Sequence, residues 1–310
     1  MTRMYSVSIW QVNTPGVHLP PALSPLPHPL LSAALVQLPK PTTKAVILAR
    51  GLGTRMRRED ARAGLSESQA SAADSGLKGM IPIARPFLDY VISALADAGI
   101  TDVCLILGPE QQRVRDYFGG EVELTRIRAH FALQEKPLGT ADAVAVAESF
   151  AHGEHVVALN SDNYYPVHTL RALRELGTAG VAAFERDALM RLGNIDAERI
   201  ANFSVVTVGE NGELERIVEK PDEQLIASLG RGVFVGMNSW SLPPEIYDAC
   251  RSIGPSIRGE LELPDAVMYA RDELGIPFRV LTFHDGVLDL SSRADIASVA
   301  ERLSGVEPRL

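Results

Sequence analysis

From Lys44 onward, short apolar runs alternate with segments of helical spacing, and that rhythm narrows the chain to one kind of architecture. Ala45-Val46-Ile47-Leu48 has no polar face and ends in a glycine turn, as a buried parallel strand does. Pro86 to Leu95 carries apolar residues at helical spacing, with Pro86 at the first helical position and Gly99 as the C-cap. Val103 to Leu107 reads as a second strand, Arg126 to Leu133 as a third, Thr140 to Phe150 as a helix and His155 to Leu159 as a fourth strand. Such alternation predicts an α/β fold, a doubly wound, mixed but mainly parallel sheet of Rossmann-like type. Past residue 180 the strand signals crowd together at Val181–Phe184, Phe203–Val208, Leu214–Val218 and Val233–Ser239. With Asn211-Gly212 as a hairpin signal, these predict antiparallel additions in the second half. Helices are expected near 243–251, 263–274 and 293–303.

Residues 1–43 depart from this pattern. They hold eight of the twenty prolines and no Asp or Glu, with only Arg3 and Lys40 charged. Pro20, Pro21, Pro25, Pro27 and Pro29 interrupt any secretory apolar run, so the segment reads as a Pro-rich extension, disordered or translated upstream of the true start. The expected domain is 44–310. The net charge of −9 argues against a nonspecific nucleic-acid or anionic-membrane binder and leaves room for a local basic pocket. Two cysteines exclude a disulfide framework and a Cys-ligated zinc site, and Cys104, inside an apolar run, reads as a buried thiol. No stretch reaches the ~20 apolar residues of a membrane span, so the expected location is cytoplasmic.

Ligands of open α/β sheets bind beyond the carboxyl ends of the strands, and two of those ends carry suggestive residues. Gly51-Leu52-Gly53-Thr54-Arg55 follows the first strand; its glycines let backbone N–H groups turn toward phosphate oxygens, and Arg55 can grip a phosphate. It lacks the Gly-Lys-Ser/Thr of a Walker A loop and the third glycine of a dinucleotide fingerprint, and alone it is equally a structural turn. Asp162 follows the fourth strand, where an acid can hold Mg²⁺ or simply form an Asx-turn.

In combination the motifs carry more weight. Gly51-x-Gly53-Thr54-Arg55, Lys78, Gln134-Glu135-Lys136-Pro137-Leu138-Gly139-Thr140-Ala141, Ser161-Asp162-Asn163, Glu219-Lys220-Pro221 and Gly259-Glu260-Leu261-Glu262-Leu263-Pro264-Asp265 occur in that order. The chain thereby resembles the sugar-1-phosphate nucleotidylyltransferases, the pyrophosphorylases that make nucleotide sugars, over residues 44 to about 300. The resemblance implies the nucleotide-diphospho-sugar transferase fold, with a nucleotide-binding half near 44–165 and a sugar-binding half near 166–290. It implies in-line attack of a sugar 1-phosphate on the α-phosphorus of a nucleoside triphosphate, with pyrophosphate leaving.

By the same resemblance, Arg55, Lys78 and Lys220 are catalytic cations, and Gly51, Leu52, Gly53, Thr54, Gln134, Gly139 and Thr140 bind the nucleotide. Asn163, Glu219, Gly236 and Asn238 line the sugar site, while Asp162 and Asp289 hold Mg²⁺. A Gln134 amide that both donates and accepts suits the imide edge of uracil or thymine, which favours UTP or dTTP over GTP, with glucose 1-phosphate as the expected acceptor. Tyr164 and Tyr165 either wall the sugar site or pack in the core.

The chain also departs from the family pattern. Ser291-Ser292 stands where Gly-Thr is usual after the late Asp, Leu77 replaces a proline before Lys78, and Arg50 stands at a small-residue position. A buried Asp289 capping the helix Ser292–Leu303 is the alternative to a metal ligand. The stretch Arg57 to Gly76 is longer than usual, as a lid over the triphosphate or a plain surface excursion. Competing functions are mannose-1-phosphate guanylyltransfer, aminoalkyl-phosphate cytidylyltransfer, or a catalytically silent sugar-nucleotide-binding regulator. The chain stops at Leu310 soon after its last expected helix, which argues against a fused acyltransferase domain. The expected partners are the two substrates, with no nucleic acid or membrane, and self-association is left open.

Overall fold

A computed structural model describes residues 40–60, 63–222, 224 and 233–310, so nearly all of the Pro-rich extension lies outside the described residues. Strand β1 (Lys44–Leu48) pairs in parallel with β2 (Asp102–Leu107) on one side and with β4 (Val156–Asn160) on the other. Beyond β2 lies β3 (Arg128–Leu133), also parallel. Beyond β4 the sheet continues through β9 (Phe234–Leu242), antiparallel to both neighbours, to β6 (Gly180–Glu185) and then to β10 (Arg279–Phe283), which is parallel to β6. The hairpin of β7 (Ser204–Val208) and β8 (Leu214–Glu219) hangs from β9, with Gly212 in the left-handed conformation at its turn. A separate antiparallel pair joins β5 (Asn163–Tyr164) to β11 (Leu288–Asp289).

The sheet divides the core in two, as the period of two dictates. Ala45, Ile47, Val103, Leu105, Val157 and Leu159 face one buried cluster; Val46, Leu48, Cys104, Ile106, Val156 and Ala158 face the other. Helices cover both faces, and burial pushes the Cys104 and Cys250 thiols up to about 12, leaving both as inert core groups. The chain leaves β1 toward β2 and β3 and returns to pair β4 on the other side. The carboxyl ends of β1 and β4 therefore flank a topological switch point, where an open α/β sheet has its crevice.

Several local expectations are refined. Pro86 is the N-cap, not the first helical residue, of the helix Phe87–Ala98, which Gly99 closes in the left-handed conformation. The helix expected over Thr140–Phe150 is two pieces, Thr140–Ala145 and Glu148–Ala151. β10 and the helices Val167–Glu175 and Arg186–Leu192 are elements the pattern did not mark. Within the long stretch after Arg57, a helix spans Glu67–Ser75 under a Ser66/Gln69 capping box. It is tied down by Arg57 Nη2 donating to the Ser75 carbonyl at 2.8 Å, by Gln69 Nε2 donating to the Pro82 carbonyl at 3.1 Å, and by an Asp74–Arg293 ion pair. A lid motion of that helix would have to break all three. No helix among the described residues is long and apolar enough to cross a membrane.

Candidate active site

A cavity of about 460 Å³ opens at the switch point. Its floor is the end of β1 with Gly51, Leu52 and Thr54; one wall is the end of β4 with Ser161 and Asp162; Gln134, Gly139 and Thr140 form another. Gly53 must be glycine: its φ is +61°, and a Cβ there would sit 2.2 Å from the Gly76 carbonyl oxygen. Gly139, at φ +127°, has its Cβ position 2.3 Å from the Leu261 carbonyl oxygen, so that wall closes tightly on the Leu261 backbone. Gly51 instead faces open space, which leaves its backbone accessible from the cavity.

Lys78, on the short 3₁₀ turn Lys78–Met80, places Nζ 2.7 Å from Asp162 Oδ2, with both side chains mostly buried. Pairing of β5 with β11 then sets Asp289 opposite Asn163, and Leu290 N donates to the Asp162 carbonyl at 2.8 Å. This juxtaposition sets Asp289 beside the residue that follows Asp162, 126 positions away in the chain, and so brings together the two acids singled out from sequence. Asp289 is 2% exposed. Asn163 Nδ2 donates to its Oδ1 at 2.9 Å, and Arg199, from the short helix Ala197–Ile200, pairs with its Oδ2 and also with Asp295 at 2.6 Å. Asn194 Oδ1 accepts from the Asp289 amide at 2.7 Å. Burial first, and the like charge of Asp162 second, push the Asp289 carboxyl up to about 6, with Arg199 opposing.

Asp289 does not cap the following helix, Asp295–Arg302, which has no side-chain N-cap; Asp295 Oδ2 accepts from the amides of Ser291 and Ser292 in the turn before it. Two hard carboxylates beside a phosphate-sized crevice suit a small divalent cation, which commonly takes one or two carboxylates and leaves its remaining positions to water and phosphate. The mutual repulsion felt by Asp289 is what such a cation would relieve. The residues fit the group, provided Lys78 and Arg199 yield the oxygens they now hold. Among the described residues no cluster of three or more His, Cys, Asp or Glu forms a richer metal site.

The other expected site residues fall outside this cavity. Arg55 is exposed; its carbonyl accepts from the Arg58 amide at 3.3 Å, and its side chain has no hydrogen bond or ion pair among the described residues. Glu219 and Lys220 follow one another at the end of β8, and Gly236 and Asn238 lie on β9. Among the described residues, Lys220 and Asn238 are two of the three non-glycine residues at positive φ, a strain that clusters at binding sites. Burial and the neighbouring Glu262 push the Glu219 carboxyl up, against Arg258 at 3.9 Å. Tyr165 packs in the core at 1% exposure and donates to the Met237 carbonyl at 2.5 Å, so of its two readings packing holds. The Gln134 amide does not offer both a donor and an acceptor, because its Nε2 already donates to Gly139 O and Asp142 Oδ2. Sequence reasoning missed Arg199 and Asn194, whose partners are remote in sequence, and Asp142, which lies one residue past the motif that holds its partner Gln134.

Known proteins bear on this geometry. The family model for nucleotidyl transferases matches residues 44–274. The chain is 28% identical over 224 residues to the bifunctional protein GlmU of Methanococcus vannielii, covering 72% of this chain and 46% of that one. It is 27% identical over 230 residues to a glucose-1-phosphate thymidylyltransferase of Streptomyces griseus, covering 74% and 57%. The chain thus spans about half the length of the curated relatives it matches. A UTP-bound UGPase from Acinetobacter baumannii superposes with a TM-score of 0.67 at 18% identity, covering 86% of this chain and 95% of that one, which establishes a shared fold.

Proposed function

The chain belongs to the nucleotidyl transferase family, and from that premise we propose that it transfers a nucleotidyl group from UTP or dTTP to a sugar 1-phosphate, glucose 1-phosphate first among them. Pyrophosphate is the second product. The observation that carries the reading is the Lys78–Asp162 ion pair, 2.7 Å long, in the lining of the switch-point cavity with Asp289 beside it. The thymidylyltransferase relative and the UTP-bound neighbour support the choice of base, and the former supports glucose 1-phosphate.

Both reactants are anions, so the work of the site is to hold them in line and to neutralise charge. The exposed backbone from Gly51 to Thr54 cradles triphosphate oxygens. Lys78 Nζ exchanges its carboxylate partner for a phosphate oxygen as the nucleotide enters, and Arg55 swings in from solvent to the leaving phosphates. Lys220 meets the sugar phosphate, while Glu219 accepts from sugar hydroxyls and Gly236, Asn238 and Asn163 shape the sugar pocket. As the sugar-phosphate oxygen bonds to the α-phosphorus, the bond to the bridging oxygen of the departing pyrophosphate breaks. Mg²⁺, held by Asp162 and Asp289, supplies neutralisation of the phosphate charge when bound.

A pyrophosphate-release assay crossing UTP, dTTP, GTP, CTP and ATP with several sugar 1-phosphates, with and without Mg²⁺, tests this. Release that needs one nucleotide–sugar pair and the metal is expected. Silence across the whole grid, with nucleotide still bound, would replace the reading with that of a sugar-nucleotide-binding regulator.

A further inference from the structure

Gln134 lines the cavity while only 3% exposed, so a ligand meets a small part of it. Its Nε2 is spent twice, donating to the Gly139 carbonyl at 3.0 Å and to Asp142 Oδ2 at 2.7 Å. A carbonyl and a carboxylate both accept, and this fixes which end of the amide is nitrogen. The remaining atom, Oε1, takes no hydrogen bond among the described residues and is not sealed from solvent. The backbone of Gln134 is held as firmly. Its amide donates to the Leu107 carbonyl at 2.9 Å, and its carbonyl accepts from Arg50 Nε at 2.8 Å. Arg50, 8% exposed, also reaches the Glu135 carbonyl with Nη2 at 3.4 Å and lies 3.4 Å from Glu110 through Nη1. One guanidinium thus braces the end of β1 against two consecutive peptides of the base-side loop.

An unrestrained glutamine amide rotates to present either a donor or an acceptor, and so reads a base poorly. This one presents an acceptor only. Uracil and thymine offer a ring N–H at N3 and guanine offers one at N1, each beside a carbonyl. Cytosine N3 and adenine N1 are lone pairs, so those bases meet Oε1 only through their exocyclic amino groups, in a register shifted from the one a ring N–H sets.

We propose that Arg50 and Asp142 are positioning residues that lock Gln134 as an acceptor-only reader, so that the site favours nucleotides with a ring N–H beside a carbonyl over those whose ring nitrogen carries a lone pair. The inference rests on the nucleotidyl-transfer reading and deepens it. Asp142 acts on the amide and Arg50 on the peptide that carries it, and neither needs to touch the base.

The test compares wild-type protein with Asp142→Asn, Asp142→Ala and Arg50→Lys. Binding of α,β-methylene UTP, CTP, GTP and ATP is followed by calorimetry with Mg²⁺ present, alongside kcat/KM for the natural triphosphates and a thermal melt of each variant. Asp142→Asn trades the carboxylate for an amide and Asp142→Ala removes it, so Nε2 loses its charged anchor and the Gln134 amide regains its freedom to turn. Wild type is expected to prefer UTP over CTP by about a hundredfold. Both Asp142 variants should cut that ratio about tenfold, chiefly by improving CTP binding, with KM for the sugar 1-phosphate unmoved. Arg50→Lys keeps the charge but loses the fork, and should cut the ratio by a smaller factor. A variant that melts early is set aside in favour of the other at the same position. A UTP-to-CTP ratio unchanged in all three variants overturns the inference, as does an equal weakening of every nucleotide. Failure of the wild type to bind any nucleotide overturns the nucleotidyl-transfer reading itself, and that outcome is distinct from binding without discrimination.

Discussion

Asp102 and Asp289 each face an arginine on the same molecule, yet their surroundings drive them in opposite directions. Asp102 opens β2 at the amino end of the sheet, where Arg128 forks onto both its oxygens at 2.7 Å and His130 and Thr101 add further contacts at 3.1 and 2.8 Å. The Arg128 hydrogen bonds hold its carboxyl down at about 2. Asp289 closes β11 beside the carboxyl end of β4, and burial together with Asp162 lifts it to about 6 although Arg199 is in contact. One arginine–aspartate pair is a settled fastening, and the other leaves charge unresolved. The unresolved pair lies at the carboxyl end of the sheet, where open α/β sheets bind ligands, and that is the ground for proposing it as the functional one.

The sharpest way to break this contrast is at Asp162. Asp162→Asn removes the charge that crowds Asp289 and the partner of Lys78, so pyrophosphate release should fall on the order of a thousandfold while the fold stays intact. Near-normal turnover would remove Asp162 from the chemistry. Next comes Arg199→Ala, which strands two buried carboxylates, Asp289 and Asp295, and should cost about 3 kcal/mol in urea unfolding. The matching change Arg128→Ala, at a side chain 72% exposed, should cost far less, because solvent screens that pair. Equal losses in the two would mean that burial does not separate the pairs. Smaller again is Lys220→Ala, which should raise KM for the sugar 1-phosphate roughly tenfold and leave triphosphate binding alone. Equal loss of both substrates would move Lys220 out of the sugar side.

The first half of the sheet, from β1 to β4, was legible because its signals are local. The apolar runs of β1, β2 and β4 alternate between two core clusters, and Gly53 and Gly139 stand where the backbone permits no Cβ. The order of the motifs then located Lys78, Gln134 and Asp162 on the cavity wall. What escaped depends on partners far away in sequence. Arg199 sits among ordinary charged residues of the Asn194–Asn202 stretch, and nothing in its spacing announces a partner 90 residues on. Arg50 was visible as a misfit, but its targets are two backbone carbonyls, which leave no trace in residue identity. Strand β10 escaped because its exposed Arg279 and Thr282 blur the apolar run, as befits an edge strand.

The finest distinction between the two aspartates is their response to pH in metal-free protein. Asp289 rises from the ordinary 3.8 to about 6 on folding, so the folded chain binds that proton more tightly than the unfolded one. Its contribution to stability therefore improves as pH falls from about 7 toward 4 and is constant below that. Asp102 falls from 3.8 to about 2, so its contribution is full above about pH 4 and is lost as pH drops toward 2. Urea midpoints measured in chelator across this range should show Asp289→Asn flattening the slope between about pH 4 and 7, and Asp102→Asn flattening it only below about pH 4. A slope between pH 4 and 7 that survives Asp289→Asn would assign it to another group, and the two aspartates would then differ in position but not in charge state.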